Sequence, residues 1–401
     1  MSSHRPRSSR TAALIATAAL GLVVATPSAA RSDTVPDLDR PALRAAIAGL
    51  PDPQLSAAQV RVAGPAGRFN AAGGVRDLAT NRPAPADGRF RIASATKMFT
   101  AVLALQLADA ERLDLAAPVQ HYLPRLLPAS YPPIPVGSLL DHTSGLPAST
   151  EDAGQEDAAY YVAHRFDHHT PRQVVATATE HPMEFEPGSA QHYNGVNYFI
   201  AGLVIERVTG STYADQLRRR ILRPLHLRDT SLPRPREYGV RGRHAHTYVK
   251  VDGVPVDVTA RSSYGWAESG LISTTADLTR FLRAAFRGPL LGTEARTRLF
   301  TVPDVPYVGD NGCARGPEAG PPACFSMGLT RTELPNGLVV WGKSGGFQGN
   351  AIAAFATRDL SRVLTYALHP TGNRDGSEGE RIRRIVTGAF LKGGPAATME
   401  P

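Results

Sequence analysis

The sequence predicts an α+β fold: a central antiparallel β-sheet flanked by helices, with a mostly helical inserted domain. Strand-like runs at residues 337–342, 350–356 and 362–368 follow one another with only short turns between them, which implies antiparallel pairing. Helical patterns lie near both ends of the chain. Residues 115–265 instead consist of helical pieces and proline-rich loops. We therefore expect a discontinuous sheet domain that is interrupted by a helical one.

The elements can be predicted in chain order from periodicity and turn residues. A first helix has Pro41 in its opening turn, two short strands follow, and the next helix is apolar on nearly all sides and hence buried. A small hairpin is expected around Asp252 and Gly253. The later amphipathic helix is capped by Thr274 or Thr275. The expected bounds are 41–50, 98–107, 198–208, 273–286 and 378–391 for the helices, and 60–62 and 68–75 for the early strands.

The expected domain bounds follow from these elements. Residues 1–30 form a signal peptide and residues 394–401 a tail, while the helical domain occupies residues 115–265. The sheet domain comprises residues 31–114 and 266–393.

The first 30 residues have the pattern of an export signal. Three arginines precede an apolar stretch at residues 12–25 that is too short to span a bilayer, and small residues then favour cleavage near Ala30. The alternative is an N-terminal membrane anchor. Loss of the three arginines lowers the formal net charge from +8 to about +5. That mildly basic balance favours association with anionic cell-wall polymers. Nucleic-acid binding is not indicated, because no aromatic residues are interleaved with the basic ones.

Cys313 and Cys324 flank a stretch rich in glycine and proline. In an exported protein, two cysteines this close predict one disulfide that closes a surface loop. The alternative is a pair of free thiols.

Ser94 and Lys97 form an S-x-x-K motif at the start of the apolar helix. Side chains three residues apart share one helix face, so the lysine lies near the serine hydroxyl. The helix N-terminus favours developing negative charge on that serine. This arrangement predicts an activated nucleophile.

Two later segments complete a set of motifs. Tyr193 precedes a second apolar helix, about 100 residues after the serine. Lys343, Ser344, Gly345 and Gly346 follow a strand some 150 residues later. S-x-x-K with a downstream K-T-G is the signature of β-lactamases and penicillin-binding proteins.

These motifs resemble those of the serine β-lactamase and D-alanyl-D-alanine carboxypeptidase superfamily, in particular the branch of class C β-lactamases and secreted D,D-peptidases. Residues 90–97, 140–147 and 270–278 also resemble segments of that branch. The similarity covers roughly residues 40–390 and implies the same architecture, with Ser94 in a crevice between the two domains.

The resemblance implies roles for the site residues. Ser94 would be the nucleophile, and Lys97 and Tyr193 would share proton transfer, with the acylation base left open between them. The backbone N–H groups of Ser94 and Gly346 would form the oxyanion hole. Lys343 and Ser344 would hold a substrate carboxylate, and Gly345 and Gly346 would allow close backbone approach. Trp266 would form a cleft wall, with core packing as the alternative.

The middle motif departs from the family pattern. That pattern is Tyr-x-Asn, but here Tyr193 is followed by Asn194 and Gly195, so no side-chain amide stands at the third position. Asn197 is a possible substitute for the amide, although it is also placed to pack in the following helix. In the last motif, Ser344 replaces the usual threonine and keeps the hydroxyl.

The resemblance implies a secreted serine-type D-alanyl-D-alanine carboxypeptidase that acts on peptidoglycan stem peptides. A class C-like β-lactamase or an esterase of the same fold is the main alternative, and Gly195 favours the esterase. A non-catalytic penicillin-binding or sensor protein is a remote one. We expect a monomer that uses neither a cofactor nor a metal, since His164, His168 and His169 lack the H-E-x-x-H pattern.

Overall fold

A seven-stranded antiparallel sheet lies at the centre of the computed structural model, which describes residues 35–149, 157–309, 313, 321–372 and 378–391. The predicted signal peptide and C-terminal tail lie outside the described residues. The strands are β1 (Leu55–Ala63), β2 (Phe69–Asp77), β3 (Arg82–Pro83), β4 (Phe90–Arg91), β5 (Tyr248–Val251), β6 (Val254–Asp257), β7 (Ile272–Ser273), β8 (Thr330–Glu333), β9 (Val339–Phe347), β10 (Asn350–Thr357) and β11 (Val363–Pro370).

The large sheet has the order β3-β2-β1-β11-β10-β9-β8, and every neighbouring pair is antiparallel. The short turns after β9 and β10 make these strands neighbours, as the sequence predicts. Strand β1, from the N-terminal part of the chain, pairs with β11, from the C-terminal part. One sheet therefore contains strands from both sides of the inserted segment.

Helices cover both faces of the sheet. They are α1 (Arg40–Ile47), α2 (Thr96–Asp109), α3 (Val119–Tyr122), α4 (Val136–Leu140), α5 (Ala158–His164), α6 (Pro171–Ala178), α7 (Val196–Thr209), α8 (Tyr213–Leu217), α9 (Trp266–Ser269), α10 (Thr275–Arg287), α11 (Thr293–Leu299) and α12 (Gly379–Phe390). Thr274 caps α10, because its side chain accepts a hydrogen bond from the Asp277 N–H at 3.1 Å.

Two large hydrophobic cores lie between the sheet and the helices, one on each face of the sheet. On one face, α1 and α12 pack against the sheet through residues such as Leu43, Ile385 and Leu364. The core on the other face joins α2, α7 and α10 to the sheet, and it also includes most helices between residues 115 and 265. That core is continuous, and α7 and α8 of the inserted segment pack directly against α2, the helix that begins beside Ser94.

Several local features match the sequence, and one strand differs. The hairpin β5–β6 turns at Asp252 and Gly253, both with positive φ. Cys313 and Cys324 are joined by a disulfide with a Cα–Cα distance of 5.7 Å. Strand β9 continues to Phe347, so the basic glycine motif lies within the strand instead of following it. Within the described residues, no helix is both long and apolar enough to cross a membrane.

Candidate active site

Ser94 lies in a single 3-10 turn, residues 93–95, directly before α2. Its predecessor Ala93 has φ 47°, a conformation that residues other than glycine rarely adopt. Such outliers concentrate at functional sites, where the surrounding packing holds them in place. The turn sets Ser94 at the N-terminus of a 14-residue buried helix, as the sequence predicts.

Lys97 is fully buried beside Ser94. Its Nζ donates a hydrogen bond to Ser94 Oγ at 3.1 Å and forms an ion pair with Glu268 Oε1. Burial lowers the pKa of Lys97, but the Glu268 carboxylate and then Tyr193 outweigh it, and the net pKa is raised. Lys97 is therefore an ammonium at neutral pH, held between a carboxylate and the serine hydroxyl.

Tyr193 is buried between two ammonium groups. The ring centroid lies 5.1 Å from Lys97 Nζ and 4.6 Å from Lys343 Nζ. The ring also packs against His142 and Phe325, with centroid distances of 4.6 and 5.1 Å. Burial raises the pKa of the phenol, but the charges of Lys343 and Lys97 outweigh it, and the net pKa is lowered. The phenol oxygen has no hydrogen-bond partner among the described residues.

Lys343 reaches this group from strand β9. Burial lowers its pKa, and repulsion from Lys97 adds to that effect, although Tyr193 opposes it. Strand β8 pairs with β9 only as far as Gly342. The following residues of β9, through Phe347, border the cleft that contains Ser94.

Gly345 brings strand β9 against the nucleophile turn. A Cβ atom at this position would lie 2.6 Å from the Ile92 carbonyl oxygen and 2.8 Å from the Ser94 backbone nitrogen. Both distances are too short for any side chain, so only glycine permits this approach. Ser344 and Gly346 line the same cleft. The structure thus brings together Ser94 and the whole of the predicted basic glycine motif.

Gly195 leaves a space that Glu268 fills. A Cβ atom at position 195 would lie 3.3 Å from Glu268 Oε1 and 3.4 Å from its Cγ. Glu268 comes from α9, and its Oε1 lies 3.4 Å from Ser94 Oγ. The carboxylate therefore contacts Lys97 and lies where a side chain at position 195 would begin.

Two predicted site residues lie elsewhere. Trp266 packs into the core, with its ring centroid 5.1 Å from that of Tyr213 and its ring atoms filling the space above Gly202. Its placement corrects the predicted cleft-wall position. Asn197 is fully buried and does not replace the missing amide: its Oδ1 accepts from Ser144 Oγ at 2.6 Å, and its Nδ2 lies 3.3 Å from His142 Nδ1. Neither residue borders the cleft.

The cleft has a volume of about 400 Å³, and its lining includes both basic and acidic side chains. Arg91 and Arg261 border it in addition to Lys343. The Arg261 guanidinium donates to the Tyr161 hydroxyl at 2.7 Å and stacks 3.9 Å from the centroid of the Phe347 ring. Among the described residues, no group of three His, Cys, Asp or Glu side chains could hold a metal ion.

A family model for β-lactamases matches residues 43–387. The chain belongs to the β-lactamase family. Among relatives in this family, penicillin-binding protein 4 of Amycolatopsis lactamdurans is 30% identical over 223 residues, which are 53% of this chain and 54% of that protein. Esterase EstB of Burkholderia gladioli is 33% identical over 171 residues, 40% of this chain and 43% of the esterase. The chain spans about half the length of such curated relatives.

A solved structure matches over a greater length. The D-stereospecific amidohydrolase from Streptomyces sp. superposes with a TM-score of 0.74 at 30% identity, covering 90% of this chain and 100% of that one. The β-lactamase-like fold predicted from the sequence is thus confirmed.

Sequence reasoning missed Glu268. In this segment the resemblance to the family implies a site role for Trp266 and none for Glu268. The available signal was a lone acid between Ala267 and Ser269, in a segment that otherwise enters the core.

Proposed function

We propose that this protein is a serine hydrolase that cleaves amide or ester bonds through an acyl-enzyme on Ser94. The observation that carries the proposal is the convergence of Ser94, Lys97, Tyr193 and Lys343 at one cleft, from three separate parts of the chain. A serine beside a buried ammonium and a phenol of lowered pKa is the arrangement that an activated nucleophile needs.

In the proposed reaction, Ser94 Oγ forms a bond to the substrate carbonyl carbon and its proton passes to a base. The bond from that carbon to the leaving nitrogen or oxygen then breaks, and the leaving group takes the proton. In deacylation, a water oxygen forms a bond to the acyl carbon and its proton passes to the base. The bond from that carbon to Ser94 Oγ then breaks, and Oγ takes the proton back as the acid product leaves. The N–H groups of Ser94 and Gly346 would stabilise the oxyanion, with β9 held close by Gly345.

Tyr193 is the proposed acylation base. Lys97 is paired with Glu268, and its raised pKa keeps it protonated, so it can stabilise the alkoxide but cannot accept the proton. The lowered pKa of Tyr193 supports a phenolate that can. The phenol oxygen makes no hydrogen bond to Ser94 in this structure, but catalytic hydrogen bonds often form only with substrate present.

The first candidate activity is a D-alanyl-D-alanine carboxypeptidase acting outside the cytoplasm. Lys343 and Ser344 border the cleft and would hold the terminal carboxylate of a stem peptide. The penicillin-binding relative and the disulfide support this proposal, as does the predicted export signal.

The second candidate is a D-stereospecific amidohydrolase. The match to the Streptomyces amidohydrolase, over the whole of that chain, favours it. This activity uses the same acyl-enzyme chemistry but differs in what flanks the scissile bond.

The test is to assay the purified protein on a D-Ala-D-Ala peptide, a D-amino-acid amide, nitrocefin and a short-chain nitrophenyl ester. Mass spectrometry after quenching should show an acyl adduct on Ser94, and Ser94→Ala should lose the adduct and several orders of magnitude in turnover. An adduct on another serine, or activity that survives in Ser94→Ala, would overturn the proposed function.

A further inference from the structure

We propose that Glu268 selects substrates whose α-nitrogen, next to the scissile carbonyl, is a free protonated amine. The inference rests on the proposed acyl-enzyme at Ser94. This selectivity would distinguish two activities. A D-amino-acid amidohydrolase acts on a residue whose α-nitrogen is a free amine, whereas in the substrate of a D,D-carboxypeptidase the α-nitrogen of the residue transferred to Ser94 is already acylated.

The first argument is position. Glu268 Oε1 lies 3.4 Å from Ser94 Oγ, and the side chain borders the cleft with 16% of its surface exposed. The α-nitrogen of a bound acyl group lies two bonds from the carbonyl carbon that Ser94 attacks. A carboxylate this close to the nucleophile is therefore within reach of that nitrogen.

The second argument is hydrogen-bond polarity. In the family pattern, an asparagine at position 195 would offer N–H donors toward an acylamino carbonyl of the substrate. Gly195 removes that amide, and Glu268 places its carboxylate, which is ion-paired with Lys97, beside the same space. A carboxylate only accepts hydrogen bonds. It repels a carbonyl oxygen but binds an ammonium through charge-assisted hydrogen bonds.

The third argument is capacity. Lys97 occupies Oε1, whereas Oε2 has no hydrogen-bond partner in the part of the chain that the structure describes. One carboxylate has room for two cationic partners, so it can hold Lys97 and a substrate ammonium together. The surrounding wall is cationic at Lys343 and Arg261, which makes Glu268 the group beside the nucleophile that favours a positive charge.

The experiment compares D-phenylalanine p-nitroanilide with its N-acetyl form, which share the leaving group and the side chain. We expect kcat/KM of the wild type to be about tenfold or more higher for the free amine, in line with a hydrogen bond to a charged group. In Glu268→Gln that preference should collapse toward unity. Any effect of the substitution on Lys97 acts on both substrates and cancels in the ratio.

A double variant and a control sharpen the test. Gly195→Asn/Glu268→Ala restores the amide of the family pattern and should reverse the preference toward the N-acetyl substrate. Glu294→Gln removes a largely exposed carboxylate on α11 and should leave the ratio as in the wild type.

The outcomes are distinguishable. If the wild type prefers the N-acetyl substrate, the inference is overturned without any variant. It is also overturned if the ratio of kcat/KM for the two substrates is the same in a folded Glu268→Gln protein as in the wild type. In both cases an acyl adduct on Ser94 would leave the proposed function standing. Absence of that adduct with all substrates would instead overturn the proposed function.

Discussion

Glycine at position 195 and glutamate at position 268 act as a pair. Without a side chain at 195, the Glu268 carboxylate reaches Lys97 deep in the cleft. A buried ammonium needs such a partner, because removing it from water without compensation costs several kcal/mol. The same carboxylate raises the pKa of Lys97, opposing burial, and raises the pKa of Tyr193 against the effect of the two lysines. Glu268 thus acts on the pKa of both candidate proton carriers, Lys97 and Tyr193.

The pH dependence of activity should respond oppositely to two substitutions. The acidic limb of kcat/KM follows deprotonation of the base, so it moves with the pKa of that base. Glu268→Gln removes a negative charge that raises the pKa of Tyr193, and the limb should move to lower pH. Lys343→Met removes the positive charge that lowers the pKa of Tyr193 most, and the acidic limb should move to higher pH.

These shifts would be measured as kcat/KM profiles on a neutral nitrophenyl ester, which has no charge to interact with either residue. The matched control is Glu294→Gln, whose profile should overlay the wild type. Shifts of the same sign in both active-site variants would contradict the electrostatic account of Tyr193.

At the scale of elements, the site depends on how closely strand β9 approaches the turn before α2. The strand passes the turn at Gly345, and its partner β10 holds it in register through the pairing of Gly345 with Ile352. Oxyanion stabilisation requires donors fixed to within a few tenths of an ångström. A strand that is hydrogen-bonded to β10 supplies that precision better than a loop does.

Gly345→Ala should therefore impair catalysis more than binding. The added methyl group would force β9 away from Ser94, since its contacts at 2.6 and 2.8 Å are with backbone atoms. We expect kcat to fall by about 10²–10³, as when an oxyanion donor is lost. Gly239→Ala is the control, because a Cβ there meets nothing within 4 Å. Wild-type kcat in a folded Gly345→Ala protein would show that β9 does not position the oxyanion donors.

Strand β11 contains a buried histidine, His369, that should make stability depend on pH. Neither ring nitrogen has a hydrogen-bond partner among the described residues. Burial, with smaller contributions from His244 and His246, lowers the pKa of His369 to about 4. The unfolded chain then binds a proton that the folded one does not, so stability is complete above about pH 6.5 and is lost as the pH falls toward 4.

The loss over that range should amount to about 3 kcal/mol, by linkage from the difference between the two pKa values. Denaturant unfolding at pH 7 and pH 4.5 would measure it in the wild type and in His369→Leu. The leucine variant should be less sensitive to pH, because its side chain does not titrate and leaves no polar group unpaired. Equal pH sensitivity in the two proteins would rule out His369 as the cause.

At the scale of the molecule, one continuous core ties the cleft to the inserted helices. Gln191 extends this connection with polar contacts: its Oε1 accepts the N–H groups of Cys324 and Phe325, and its Nε2 donates to the Asp141 carbonyl at 2.7 Å. Phe325 in turn packs on Tyr193. The disulfide at Cys324 therefore lies close to the side chains that pack around Tyr193.

Removing this disulfide should lower stability more than activity. The bond spans 11 residues, and closing a loop of that size contributes about 2.5–3 kcal/mol through the unfolded chain. Cys313→Ser/Cys324→Ser should melt at a lower temperature, with kcat/KM nearly retained because the hydrogen bonds of Gln191 do not require it. The wild type measured with and without a reducing agent is the control. An unchanged melting temperature would contradict this expectation.

The sequence by itself determined the layered α+β fold, the disulfide pairing and four residues that meet in the cleft. Those features follow from local signals: strand runs joined by short turns, two cysteines in one loop, and motifs such as Ser94 with Lys97 on one helix face. Only the tertiary structure decided which way Trp266 and Glu268 point. They lie two residues apart in one short helix, so spacing along the chain could not say which faces the nucleophile. That choice depends on space left open at Gly195, far away in the sequence, where a missing side chain lets a carboxylate pair with a buried lysine.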